Sequence, residues 1–330
     1  MTVRGPSSER QSRGAAALPA LAACCAALAA TPRRLLRPRR PDQRLLAKLQ
    51  DVGVPRARAV VRLMALPQAR MSAPAVVVAE GARRPWRLEL GMTTFVVEHP
   101  SARILVDPSM CSDVHQRVLP QLPTPFRLFV APDRPVTGLA DALQRVGRDI
   151  HDVDFVLPTH LHWDHVSGLL ELPQQVAVRT RPVERDFALN VGGPPMGVAC
   201  GPLRGRRFDT YDLDGPPVLT FERSHDLFAD DSVVLVDLAG HTPGSVGVLF
   251  NLDGDRRVLL AGDAVWHRLQ IRLLREKAPF PGQLVDDDRD AAFAAVHRLH
   301  ALPPTIEIIP SHDRDAAIPW STGPGATHCN

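Results

Sequence analysis

Apolar runs bounded by turn residues follow one another from residue 87 to residue 309 of this 330-residue chain. Short apolar runs are typical of buried strands, whereas apolar residues three and four positions apart are typical of one face of a packed helix. Helices are predicted at 138–147 and at 288–300, and strands are predicted at 87–98, 102–107, 152–157, 232–238, 246–251, 256–260 and 305–309. Strands interspersed with helices indicate an α/β body.

The first 70 residues differ from the rest in pattern and in charge. Residues 15–30 form an alanine-rich apolar stretch, and 43–66 carry leucine and valine at helix-like spacing. Residues 1–70 contain 14 Lys and Arg against 3 Asp and Glu, a net charge of +11, while the whole chain carries only +3, so residues 71–330 carry −8. We therefore expect a basic Ala/Arg-rich extension over 1–70, helical or disordered, and a globular domain over 71–330 that performs the chemistry.

The net charge of the body and the cysteine spacing indicate which binding partners and which cellular location to expect. An acidic body argues against a nucleic-acid partner, because such partners need a basic surface, and a small-molecule substrate is expected instead. The five cysteines show no paired spacing, which favours a reducing cytoplasm. The alternative is export, because residues 21–24 resemble a lipoprotein processing box that would make Cys24 a lipid anchor. Membrane association is expected only through the extension, and no oligomeric state is predicted.

The candidate chemistry centres on the six residues that follow the predicted strand at 152–157, which read His-Leu-His-Trp-Asp-His. In extended chain, residues two apart point the same way, so His160 and His162 can bind one ion. Asp164 and His165, where the chain turns, can then reach a second ion. One short segment is thus predicted to serve two metals.

Three further candidate ligands, His241, Asp263 and His312, each lie just past the end of a predicted strand. Loops at strand ends are where open sheets present functional residues. A consistent assignment gives one metal His160, His162 and His241, and it gives the other metal Asp164, His165 and His312. Asp263 then bridges the two ions. Imidazole and carboxylate ligands suit zinc, and also iron, manganese or cobalt, and zinc is the expected metal.

These motifs together resemble the metallo-β-lactamase superfamily of hydrolases. The matching segments are HLHWDH at 160–165, HTPGS at 241–245, GD at 262–263 and SHD at 311–313, and LVDP at 105–108 looks like the acidic turn that precedes the site. The resemblance covers roughly residues 87–320. It implies a four-layer αβ/βα sandwich with two divalent metal ions.

Within the superfamily, the chain is most similar to the N-acyl-homoserine lactonase-like group. Glyoxalase II-like thioesterases carry a helical domain after the last ligand, but only 18 residues follow His312 here. Nucleases carry an inserted domain or a basic arm, for which the ligand spacing leaves no room. One departure concerns the substrate: lactonases usually have a tyrosine three residues after the bridging aspartate, where this chain has Trp266. Its single tyrosine, Tyr211, lies between the hexapeptide and His241.

The expected activity is hydrolysis of an ester, lactone or related small molecule. Two ions about 3.5–4 Å apart can share a water and lower its pKa toward 7, which supplies a hydroxide nucleophile at neutral pH. The resemblance implies that Asp164 accepts and returns a proton. Alternatives are thioester or phosphotriester hydrolysis, or a non-hydrolytic, oxygenase-like role. Residues 187–189 and 194–196 are predicted to form a lid, and Trp163 and Trp266 are either an apolar wall of the site or ordinary packing residues.

Overall fold

The computed structural model of the chain describes residues 6–191, 193–252 and 256–321, and it describes side chains from residue 21 onward. The helices are α1 Pro6–Leu36, α2 Gln43–Lys48, α3 Ala75–Val78, α4 Val114–Arg117, α5 Thr124–Val130, α6 Leu139–Arg145, α7 Trp163–Val166, α8 Pro182–Ala188, α9 Cys200–Leu203, α10 Arg268–Leu273, α11 Pro279–Val285, α12 Arg289–His300 and α13 Arg314–Ala317. The strands are β1 Arg62–Pro74, β2 Arg87–His99, β3 Ala102–Val106, β4 Phe155–Leu157, β5 Ala177–Thr180, β6 Phe208–Thr210, β7 Ser224–Asp226, β8 Val233–Asp237, β9 Val246–Asn251, β10 Arg257–Leu260 and β11 Ile306–Ile309.

The strands form two sheets. The first has the order β1-β2-β3-β4-β5-β6, and the second has the order β11-β10-β9-β8-β7. In the first sheet β1, β2 and β3 run antiparallel, and β3 to β6 run parallel to one another. In the second sheet only β10 and β11 are parallel. Strands that end at one edge of a sheet bring the loops after them close together, which is how distant segments meet in the site described below.

The two sheets face each other across a shared core. Phe95 and Val97 of β2 point into this core together with residues of β8, β9 and β10, whereas Val96 between them points to the opposite face. This alternation is the two-residue period of a strand. The outer face of the first sheet is covered by α6, and the outer face of the second is covered by α12 through Phe293 and Val296. The layers are therefore helix, sheet, sheet and helix, which confirms the expected αβ/βα sandwich.

The N-terminal region departs from the sequence-based expectation. The helix-like spacing over 43–66 corresponds to only one short helix, because α2 ends at Lys48 and the chain then continues without regular structure to β1. Gly53, at φ +83°, and Pro55 break the helical pattern there. The expected boundary between residues 70 and 71 falls inside β1, which pairs with β2 from Arg62 to Pro74. The sandwich therefore begins before residue 71.

Helix α1 packs against α11 and α5. The Cys24 side chain is buried in this packing, at 4% exposure. Among the described residues, no helix is both long enough and apolar enough to cross a membrane.

Candidate metal centre

The seven candidate ligands come together at one edge of the two sheets. His160 and His162 follow β4, and Asp164 and His165 belong to the short helix α7. The other three candidates, His241, Asp263 and His312, follow β8, β10 and β11. All are buried except Asp164, which is half-buried. Segments up to 152 residues apart in sequence therefore supply one cluster.

The cluster divides into two groups of three residues. We call His160, His162 and His241 the first ligand group, and Asp164, His165 and His312 the second ligand group. Within each group the candidate ligand atoms lie within 4.8 Å of one another. These are the same two sets that the sequence assigned to two metals.

Asp263 lies between the two groups. Its Oδ1 is 3.2 Å from Nε2 of His165 and 3.2 Å from Nε2 of His312, both in the second ligand group. Its Oδ2 is 3.2 Å from Nε2 of His241, in the first ligand group. One carboxylate oxygen thus faces each group, which is the arrangement that a bridging ligand needs.

The donor atoms fit a metal site. Nε2 of His160 is buried and has no hydrogen-bond partner among the described residues. Nδ1 of His162 and Nε2 of His241 lie 2.9 Å apart, so two ring nitrogens point into the same small space. Buried polar atoms are normally satisfied, and an ion coordinated by these nitrogens satisfies them.

The two groups differ in electrostatics. Burial, together with the neighbouring imidazoles, lowers the pKa of His160 and of His162 well below the ordinary histidine value. Burial would also lower the pKa of His165, but the carboxylates of Asp107 and Asp263 outweigh it and hold this pKa well above the ordinary value. The pKa of His312 is raised in the same way, mainly by Asp263. Without metal, His165 and His312 therefore keep their protons to a higher pH than His160 and His162 do.

Polar contacts from outside the cluster orient three of the imidazoles. Nδ1 of His165 lies 2.9 Å from Asp107, the acidic residue of the turn after β3. Nδ1 of His241 lies 2.9 Å from Oδ1 of Asp286, and Nδ1 of His312 lies 2.9 Å from the carbonyl oxygen of Gly91. Such partners determine which ring nitrogen is free to bind a metal. The sequence indicated Asp107 but gave no signal for Asp286 or Gly91.

A buried carboxylate also ties two ligand-bearing loops together. Glu184 of α8 accepts a hydrogen bond from the backbone N–H of Leu161 at 2.8 Å and another from that of Gly244 at 3.0 Å. These amides flank the ligands of the first group. A Cβ on Gly244 would lie 2.3 Å from the Cβ of Glu184, so only glycine permits this close approach. Sequence reasoning did not find Glu184, because a glutamate on a helix is usually exposed.

Comparison with known proteins bears on the family. Residues 89–312 match the model of the metallo-beta-lactamase superfamily, which is more than half of the chain and includes all seven clustered residues. The chain belongs to the metallo-beta-lactamase superfamily. Members of this superfamily bind divalent metals, and relatives among the lactonases and metallo-hydrolases support a metal-dependent hydrolase.

Relatives are found by sequence and by structure. The chain is 26% identical over 188 residues to an N-acyl homoserine lactonase of Rhizobium radiobacter, which covers 57% of this chain and 68% of the relative. It is 27% identical over 192 residues to a probable metallo-hydrolase of Mycobacterium tuberculosis, which covers 53% of this chain and 60% of the relative. A solved N-acyl homoserine lactone hydrolase, with N-hexanoyl-L-homoserine at its catalytic metal centre, superimposes with a TM-score of 0.58 at 19% identity. That match covers 78% of this chain and 95% of the solved one, and it supports the superfamily fold.

Trp266 follows Asp263 by three residues and contacts its side chain. Its indole Nε1 donates a hydrogen bond of 2.7 Å to Oδ2 of Asp263. The indole ring lies edge-on to His312, with ring centroids 5.9 Å apart. Ser311 donates a further hydrogen bond to Oδ1 of Asp263. Both oxygens of the central carboxylate are thus oriented by the chain, and Trp266 contacts the site directly.

A cavity of about 400 Å³ opens beside the cluster. Asp164 and His312 of the second ligand group line it, together with Trp266. The rest of its wall is largely apolar and consists of Leu28, Met71–Pro74, Val77, Val78, Leu90, Met92, Leu128–Val130, Phe280 and Pro281. A largely apolar cavity with a few polar groups at one end is typical of small-molecule sites, which span roughly 300–1,000 Å³.

Several sequence candidates for substrate contact lie elsewhere. Tyr211 stacks on His225, with centroids 5.2 Å apart, and it does not line the cavity. Trp163 is 2% exposed and packs in the core. The predicted lid at 187–189 and 194–196 does not line the cavity either, and Gly192 within that segment lies outside the described residues. Gly197, which follows the predicted lid, instead packs against the ring of His162.

Proposed function

We propose that this protein is a dinuclear metal-dependent hydrolase that cleaves a small-molecule ester or lactone. The observation that carries this proposal is the Asp263 carboxylate, which presents one oxygen to each ligand group, with Asp164 and His312 of the second group lining a largely apolar cavity. The first ligand group would hold one ion, the second would hold the other, and Asp263 would bridge them. Zinc fits the imidazole and carboxylate donors.

When bound, two divalent ions supply Lewis acidity to the substrate carbonyl and lower the pKa of water between them. The chain supplies the rest of the chemistry. The half-buried carboxylate of Asp164 faces the cavity, with Oδ2 3.5 Å from Nε2 of His312. A carboxylate in this position can accept a proton at attack and return it to the leaving oxygen. We assign Asp164 that role.

The remaining residues bind, orient and exclude water. Trp266 and Ser311 hold the Asp263 carboxylate by hydrogen bonds, so its oxygens stay directed at the two ligand groups. The apolar wall of the cavity would receive the carbon skeleton of the substrate and exclude bulk water from the reacting carbonyl. The similarity to N-acyl homoserine lactonases supports an ester or lactone rather than another substrate class.

Elemental analysis and a substrate panel test this proposal. The purified protein, loaded with zinc or manganese, should contain near two ions per chain. It should turn over aryl esters and apolar lactones faster than thioesters, phosphotriesters or a β-lactam. A chain that holds a single iron, or that prefers phosphotriesters, would place it in another branch of the superfamily and refute the proposal.

A further inference from the structure

The N-terminal helix α1 has one face that is docked on the sandwich. Residues at three- and four-residue spacing form this face, and Cys24 and Ala27 on it are 4% and 0% exposed. They pack in the same apolar cluster as Met92, Trp163 and Phe280. Thr31, one turn further along, accepts a hydrogen bond of 2.9 Å from the backbone N–H of Phe280. The helix is therefore an integral layer of the structure at this point.

Charged groups fix the position of the docked helix. The guanidinium of Arg34 binds both oxygens of Glu80, at 2.6 and 3.1 Å, and also contacts Glu276. The Glu80 side chain is fully buried, and the backbone N–H of Arg39 donates to it at 2.7 Å. Arg289 approaches Glu276 to 2.8 Å from the opposite side. Removing α1 would leave a buried carboxylate without its main cation, which is strongly destabilising.

This docking places Leu28 in the wall of the substrate cavity. Leu28 lines the cavity together with Phe129 and Phe280, and Asp164 and His312 of the second ligand group line the same cavity. Leu28, Leu128 and Phe129 are 49%, 74% and 52% exposed, so the cavity opens to solvent between α1 and α5. Helix α1 lies outside residues 89–312, which match the superfamily. Part of the cavity wall is therefore supplied by a segment outside the matched residues.

We propose that α1 is a specificity element and that Leu28 contacts an extended apolar group of the substrate. The inference rests on the proposed function and narrows it to esters or lactones with a linear or aromatic apolar chain. The apolar group of the substrate would extend from the carbonyl at the second ligand group, past Trp266 and Phe280, to the cavity mouth at Leu28. About 400 Å³ of largely apolar space accommodates an apolar substrate group, and no lysine or arginine among the described residues lines the cavity to pair with an acidic group at its far end.

Substitutions at Leu28 test this proposal against a matched position on the same helix. Leu28→Trp should fill the mouth and Leu28→Ala should widen it. Leu36, which is 74% exposed near the end of α1, provides the control Leu36→Trp. The measurement is kcat/KM of the metal-loaded protein for p-nitrophenyl octanoate relative to p-nitrophenyl acetate. A pocket discriminates by about tenfold or more for a change of one or a few methylenes.

We expect Leu28→Trp to lower the ratio of kcat/KM for octanoate to that for acetate about tenfold, through a higher KM for octanoate. Leu28→Ala should raise the corresponding ratio of p-nitrophenyl decanoate to p-nitrophenyl acetate. Leu36→Trp should leave every ratio unchanged. Equal effects of Leu28→Trp and Leu36→Trp, or equal losses on both esters, would overturn the proposal. Binding of 1-octanol, measured by calorimetry, tests the cavity wall without requiring ester cleavage, so it distinguishes this proposal from the proposed function. If no ester is cleaved but Leu28→Trp alone abolishes octanol binding, the wall assignment holds and the hydrolase assignment fails.

Discussion

The two halves of the candidate metal centre differ in how they are enclosed. In the first ligand group His160, His162 and His241 are all buried, and Asp286 orients His241. Lys277, itself 2% exposed, donates to Asp286 at 2.8 Å and to the backbone oxygen of Asp263 at 2.9 Å. Buried hydrogen bonds thus fix this half, and none of its three histidines lines the cavity.

The second ligand group faces the cavity. Asp164 and His312 line it, and Asp164 is the one candidate ligand that is not fully buried. Carboxylates lie close to the histidines of the second ligand group and raise the pKa values of His165 and His312. Burial and neighbouring imidazoles instead lower the pKa values of His160 and His162. On the proposed function, one half of the centre would retain its ion and the other would contact substrate, although the same hexapeptide contributes to both.

The largest expected effect comes from breaking the link between the two halves. Asp263→Asn keeps the shape of the side chain but removes the charge that faces both groups. We expect loss of at least one ion and a fall in activity of about a hundredfold or more, because changes even to groups that only orient ligands cost ~10–100-fold. Metal content by elemental analysis and kcat/KM check this.

Asp214→Asn is the matched control, because Asp214 is 80% exposed and contacts only His225 among the partners described for it. It should leave both quantities unchanged. A variant of Asp263 that retains two ions and full turnover would mean that the two halves do not share this ligand.

A second prediction sharpens the comparison through protons. His165 and His312 have raised pKa values, so in the metal-free protein each holds its proton to a higher pH than an ordinary histidine does, and that proton must leave before the nitrogen binds an ion. Affinity at the second ligand group should therefore rise as pH increases, by about tenfold per pH unit for each proton released, until the pH exceeds those pKa values. His160 and His162 have lowered pKa values and should release none.

Calorimetric zinc titration of the metal-free protein, in two buffers of different ionisation enthalpy, measures the protons released by each ion. The more pH-sensitive ion should release about two protons more than the other. Equal release by both ions would show that the electrostatic difference between the halves has no consequence for binding.

The smallest expected effect is at Trp266. Trp266→Phe keeps an aromatic ring beside His312 but removes the indole N–H that donates to Asp263. One hydrogen bond to a charged group contributes about 1.5–3 kcal/mol, and packing is retained, so we expect turnover to fall about tenfold with metal content unchanged. Trp86→Phe, at a residue that is 76% exposed, is the control. Loss of an ion from the Trp266 variant would assign the indole to metal retention instead of catalysis.

Much of the fold could be predicted because burial leaves a local pattern. The runs at 246–251 and 256–260 became β9 and β10 within one residue, and the spacing in 288–300 became α12. The N-terminal region could not be predicted in this way. The spacing in 43–66 fits a helix, but the end of that segment belongs to β1, which pairs with β2. Helix α1, which precedes it, packs on the sandwich. A pattern in sequence does not state which surface it will cover.

By itself, the sequence identified the seven candidate ligands that the structure brings together, because metal ligands need particular side chains and strand ends keep them in order. It did not determine what surrounds them. Asp286, Glu184 and Lys277 lie far from the hexapeptide in sequence, and only the tertiary structure brings them to the site. The same holds for Leu28, which reaches the cavity because Arg34 binds the buried Glu80. Ligand identity is local chemistry, whereas the cavity is formed by packing between segments distant in the chain, which no local pattern records.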